Sequence, residues 1–155
     1  MATNVESENT GFQFDARTLA LILVVIGLLI SGYLSYVKLA DVEIICTEGE
    51  TVNCQVVENS KWASIMGIPV AYLGFAGYAL MGLILLLEDR IDFLMDYGRT
   101  LNFTIGIFGW LFSMWLVYVQ AGILQAYCLW CLTHEVNFTI LFGVVCYLLW
   151  QEMNE

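Results

Sequence analysis

Charge is scarce in this chain. Only 13% of its 155 residues are Asp, Glu, Lys or Arg, against 60% apolar, and the mean hydropathy is +0.77. That balance excludes an ordinary soluble domain and indicates an integral membrane protein. Positive charge is scarcer still, with five basic residues against fifteen acidic ones and a net charge of -10. Such a surface repels phosphate backbones, so no nucleic acid is expected as a partner. There is no internal repeat and no low-complexity segment. No small-residue cleavage site follows the first apolar segment, which therefore reads as a retained span rather than a signal peptide.

A hydrocarbon core about 30 Å thick takes about 20 apolar residues per helix, so the charge-free windows can be counted. They predict an all-α membrane protein, a bundle of four transmembrane helices over about 18–38, 68–87, 100–123 and 128–150. Pro69, the single proline, suits a first helical turn and marks the start of the second span. The apolar run from 101 to 133 is too long for one span and is divided by a tight turn near 122–127. A polar, acidic stretch of 15 residues precedes the first span, and an acidic linker of Glu88, Asp89, Asp92 and Asp96 joins the second to the third. Four spans leave room for one domain only, residues 1–155.

With an even number of spans, the loop at 41–66 and the turn near 122–127 lie on the same side of the membrane. Arg17, Arg90 and Arg99 flank the other side, against Lys38 and Lys61 on this one. The positive-inside rule then favours cytoplasmic termini. The acids Asp41, Glu43, Glu48, Glu50 and Glu58 crowd the loop and read as a solvated rim.

Four of the five cysteines fall in these two places, Cys46 and Cys54 in the loop, Cys128 and Cys131 at the start of the fourth span. Two intervening residues at a helix start put the sulfurs of Cys128 and Cys131 on one face about one turn apart, and the helix N-terminus favours thiolate. Seven polar residues between Cys46 and Cys54 give a loop able to bring one cysteine to the helix-borne pair and offer the other to a soluble thiol protein. Disulfides persist outside the cytosol, which also puts these pairs on the extracytoplasmic side. A four-thiolate zinc module and a scaffold with a static loop disulfide are the competing readings, although the seven-residue spacing does not suit zinc. Cys146 lies about 22 Å further along the helix from Cys131 and reads as a buried free cysteine. The glycines at 27, 32, 74, 77, 82, 106 and 109 read as sites of close helix packing.

The order Cys46-x7-Cys54, Asn59-Ser60-Lys61-Trp62, Gly67-Ile68-Pro69 leading to Leu73-Gly74, and Cys128-Leu129-Trp130-Cys131 resembles the vitamin K epoxide reductase family from the first span to the fourth. The resemblance implies a four-helix bundle around a quinone, capped by an extracytoplasmic loop and a short interfacial helix. It implies that Cys131 stands next to the quinone, that Cys128 is its exchange partner, that Cys54 shuttles to Cys128 and that Cys46 meets the substrate protein. Val57, Ser60, Trp62, Pro69, Tyr72, Leu124 and Glu135 are the implied pocket residues, with no metal. The quinone would be of the menaquinone, ubiquinone or vitamin K type. The partner would be a secreted or periplasmic thioredoxin/DsbA-like protein acting in trans, in the plasma or inner membrane or, alternatively, the endoplasmic reticulum.

One position departs from the family. Where vertebrate members place a tyrosine against the quinone oxygen, this chain has Glu135, preceded by His134. A carboxylate one turn inside a membrane helix is costly unless protonated, paired or near water. It reads either as a proton donor to the quinone or as a partner of His134. The substitution favours plain quinone reduction over epoxide reduction.

Overall fold

The computed structural model describes residues 3–155, with side chains from residue 16 onward; the side chains of the polar N-terminal stretch lie outside that description. Four helices are long and apolar enough to cross a membrane: α1 (Thr3–Ala40) through its segment Ala16–Ala40, α3 (Val70–Leu87), α4 (Asp92–Tyr118) with the π-helical turn Val119–Leu124 that continues it, and α5 (Leu129–Asn154). Between α1 and α3 lie the short helix α2 (Cys54–Glu58), a 3-10 turn (Lys61–Ala63) and a two-residue hairpin of β1 (Ser64–Ile65) and β2 (Ile68–Pro69).

Leu19, Ile22, Val25, Ile26 and Leu29 of α1 are exposed, as are Leu80, Leu83 and Leu86 of α3. In a bilayer these faces meet lipid, so packing rather than hydrophobic burial holds the helices together. The core is Ala20, Leu23, Val24, Tyr78, Met81, Leu85, Phe138, Leu141 and Val145, drawn from α1, α3 and α5. Small residues permit the close crossings. A Cβ at Gly27 would stand 2.2 Å from the Tyr78 ring, and one at Gly109 would stand 2.8 Å from Phe138. Gly77 has nothing within 4 Å of that position, because it faces a cavity rather than a neighbouring helix.

Three local features differ from expectation. Helix α4 starts at Asp92, so Asp92 and Asp96 form its first turns rather than a linker. Acidic residues are favourable there because they face the positive end of the helix dipole. Pro69 ends β2 and caps α3, whose first residue is Val70. The hairpin arises because Met66 and Gly67 adopt left-handed backbone, with φ of 53° and 86°, the geometry that tight hairpin turns need.

Candidate functional site

The two cysteine segments are joined by backbone hydrogen bonds. Val52 and Tyr127 form an isolated parallel bridge, in which Tyr127 N donates to Thr51 O at 2.9 Å and Asn53 N donates to Tyr127 O at 3.0 Å. Cys128 directly follows Tyr127 and Cys54 lies two residues past Val52, both fully buried and in one apolar cluster with Cys46 and Cys131 packed against it. Cys46 and Cys54 are joined in a disulfide, whereas Cys128 and Cys131 are free thiols.

Local sequence fixes both cysteines at helix starts. The Asn53 side chain caps α2 by accepting from Val56 N at 3.1 Å, the usual role of asparagine before a first turn. Cys128 is itself the N-cap of α5, its Sγ accepting from Cys131 N at 3.4 Å. Its own N–H donates to the buried Gln120 Oε1 at 3.0 Å, from the π turn. That turn ends at Gln125, which is left-handed, and Ala126 N returns to Gln120 O. A π-helical turn beside a functional group is a recurrent association. The Cys131 thiol donates to the Cys128 sulfur and, with the backbone N–H groups of Cys131 and Trp130, holds the Cys128 pKa below the ordinary thiol range despite its burial. Cys128 is therefore the sulfur prepared to act as thiolate.

Trp130 ties the other end of the loop. Its indole N–H donates to Ile45 O at 2.7 Å, Ile45 N donates to the Tyr33 hydroxyl at 3.0 Å, and the Tyr33 and Trp130 rings pack at a tilt with centroids 4.6 Å apart. The segment before Cys46 is thus braced rather than free. Cys46 is half-buried and is the more accessible end of its disulfide.

Beneath this arrangement lies a cavity of about 410 Å³ between α1, α3, α4 and α5, with the α2 segment over its mouth. Val57, Ser60, Trp62, Leu124 and Glu135 are in its wall, together with Cys131. Pro69 and Tyr72 are not. On α3 the wall consists of Val70, Ala71, Leu73, Gly74, Gly77, Tyr78 and Met81, and Tyr72 falls outside that helical stripe. Trp62 meets Trp115 edge-on at 5.2 Å, and Lys61 Nζ lies 4.9 Å over the Trp62 ring.

The polar groups of the wall are few. Glu135, 7% exposed, accepts from Ser113 Oγ at 2.8 Å through Oε1, which also lies 3.6 Å from His134 Nδ1. Its Oε2 is buried with no hydrogen-bond partner among the described residues. Tyr78 accepts from Asn137 Nδ2 at 3.1 Å and packs edge-on against His134. Ser113, Gln120, Tyr78 and His134 were not among the expected pocket residues. Their polarity inside apolar helices is the only sequence signal that marks them.

Glu58 corrects an expectation. The rim acids Asp41, Glu43, Glu48 and Glu50 are exposed, but the Glu58 side chain is only 12% exposed and stands in the cavity wall. Burial pushes its carboxyl above the ordinary range, opposed by Lys38, whose Nζ is 3.9 Å from Oε1 and donates to Glu58 O at 2.8 Å.

A model of the vitamin K epoxide reductase family matches residues 18–146, which takes in all four spans and both cysteine pairs. With the helical bundle, the paired cysteine segments and the cavity under them in place, the chain belongs to the vitamin K epoxide reductase family and is a multi-pass membrane oxidoreductase.

Proposed function

We propose that this protein is a quinone-dependent thiol-disulfide oxidoreductase, taking electrons from a thioredoxin-like partner and supporting disulfide formation. The observation that carries the reading is that Cys131 and the unpartnered Oε2 of Glu135 share one largely apolar cavity, next to a thiol prepared as thiolate and a loop disulfide in the same cluster. The wall suits a quinone ring: aromatic and aliphatic side chains for its faces, and a carboxyl with spare hydrogen-bonding capacity for a carbonyl oxygen. The quinone supplies the electron-accepting chemistry, and the chain supplies position, thiolate and protons.

In this reading a partner thiolate attacks Cys46, the accessible end of the loop disulfide, and leaves Cys54 as a thiolate. A second partner thiol resolves the mixed disulfide, freeing the loop dithiol. Cys54 then exchanges with a Cys128–Cys131 disulfide through Cys128, and Cys46 resolves it to close the loop again. Of the Cys128–Cys131 dithiol so produced, Cys131 faces the cavity. The cysteine end is extracytoplasmic in this account and both termini are cytoplasmic. A four-thiolate zinc site fits less well, since the disulfide leaves Cys46 and Cys54 without thiolates for a metal.

The test is anaerobic. Purified protein, a reduced thioredoxin-like protein and a menaquinone analogue are mixed, and quinol is followed by absorbance. Quinol forms with the native chain and is lost when any of Cys46, Cys54, Cys128 or Cys131 is replaced by serine; undiminished quinol from the Cys131→Ser variant contradicts the reading. In oriented vesicles an impermeant thiol reagent reaches reduced Cys46 from the extracytoplasmic side, and labelling from the cytoplasmic side only reverses the orientation.

A further inference from the structure

Oxidation of the thiol pair by a quinone breaks two S–H bonds, forms one S–S bond, transfers an electron pair to the quinone and leaves two protons on its oxygens. No bulk proton is consumed. Cys128 is fully buried and Cys131 opens on the largely apolar cavity, so each proton needs a carrier within the protein. Glu135 stands one helical turn beyond Cys131 and can serve one of them. The second carboxylate of the cavity is Glu58.

Glu58 ends the short helix that begins with Cys54, and so hangs from the same element as the shuttling cysteine. It is the only one of the five loop acids in the cavity wall, where it shares the space with Cys131 and Glu135. The groups around it are known from each side. Lys38 reaches it from α1, Tyr78 stands in the α3 wall, Cys131, His134 and Glu135 come from α5, and Cys128 caps the start of that helix. Lys61 is turned over Trp62. The π turn contributes Gln120 and α4 contributes Ser113, neither of which titrates. The Glu58 charge opposes thiolate formation at Cys128, as a carboxylate near enough to take its proton does.

We propose that Glu58 is the proton-exchange group at the mouth of the cavity, taking the Cys128 proton as the thiol pair is oxidised and passing it to the quinone. The inference rests on the quinone reading above. In the balanced step the electron pair leaves the sulfurs for the quinone, Glu58 and Glu135 each hand on one proton, and both carboxyl groups end as they began. A carboxylate is the base in this step, so the rate rises with pH as Glu58 ionises. Lys38 sets where that happens.

The full chain is tested with Glu58→Gln, Glu58→Leu and Lys38→Met. In a Cys46→Ser, Cys54→Ser, Cys146→Ser background, the remaining Cys128–Cys131 pair is titrated by ultraviolet thiolate absorbance, and its first ionisation is read as that of Cys128. Both Glu58 variants should ionise Cys128 at lower pH than the parent. In the chain with its native cysteines both should slow quinol formation by roughly 10²-fold, as loss of a general base does, and lose the rise of rate with pH above the ordinary carboxylate range. Lys38→Met should move that rise to higher pH without lowering the plateau. Native rates in both Glu58 variants overturn the proposal. So does an equal slowing in all three variants with the pH profile unchanged, which makes the pair merely structural. If the native chain forms no quinol, the quinone reading fails, and an unshifted Cys128 titration then overturns the role of Glu58 separately.

Discussion

Two carboxyl groups distinguish this cavity, and Glu135 is the more deeply placed. One of its oxygens accepts from Ser113 while the other has no hydrogen-bond partner among the described residues. An unsatisfied buried acceptor costs roughly 1–3 kcal/mol, so a ligand that hydrogen-bonds this oxygen is favoured there. Glu135→Gln keeps a hydrogen bond to the ligand but removes the transferable proton. We expect it to slow quinone reduction by a factor of about 10² to 10⁴, while exchange between the two cysteine pairs, followed by thiol trapping, stays native. Glu135→Ala should also weaken quinone binding. Native quinol rates in both variants would reduce Glu135 to a packing partner of Ser113. The position was legible in the sequence because a charge inside an apolar window stands out. Gly77 was not legible as a wall residue, since its place depends on helix phase against neighbouring helices rather than on residue type.

At the scale of elements, the four spans follow from charge-free windows alone, because the bilayer demands them whatever the neighbours are. The segment between α1 and α3 does not. The burial of Glu58 depends on Lys38, twenty residues earlier, and the bracing of Ile45 depends on Trp130 and Tyr33; local patterns carry no trace of such pairings. The opposite end of the bundle shows the same dependence. There Arg17 pairs with Glu88 and Asp89, and Arg99 pairs with Glu152, linking α1, the α3–α4 turn, α4 and α5. Glu88 is 8% exposed, and burial raises its pKa above the ordinary glutamate value, with the two arginines opposing. Its folded pKa therefore exceeds its unfolded one. The neutral carboxyl's contribution to stability is full below the ordinary glutamate range and is lost as pH rises through the higher folded value. Thermal unfolding in detergent should show this decline across that window in the native chain and a flatter profile in Glu88→Gln. Equal slopes would mean that the cluster is already hydrated.

The whole molecule converges on one transfer. Four spans bring the loop and the α4–α5 turn to the same end, the Val52–Tyr127 bridge aligns them in register, and Cys54 and Cys128 follow as neighbours. The motif resemblance pointed to this order of sulfurs, but their juxtaposition rests on the bridge, which no pattern in either segment announces. The most direct measurement uses Cys131→Ser, which deprives Cys128 of its resolving partner. In that variant the Cys128 thiolate attacks the loop disulfide at the buried Cys54 and releases Cys46 as a thiol. Non-reducing digestion and mass spectrometry of the full chain should therefore find a Cys54–Cys128 disulfide with Cys46 free. A Cys46–Cys128 bond, or an intact Cys46–Cys54 disulfide beside a free Cys128, would contradict the account.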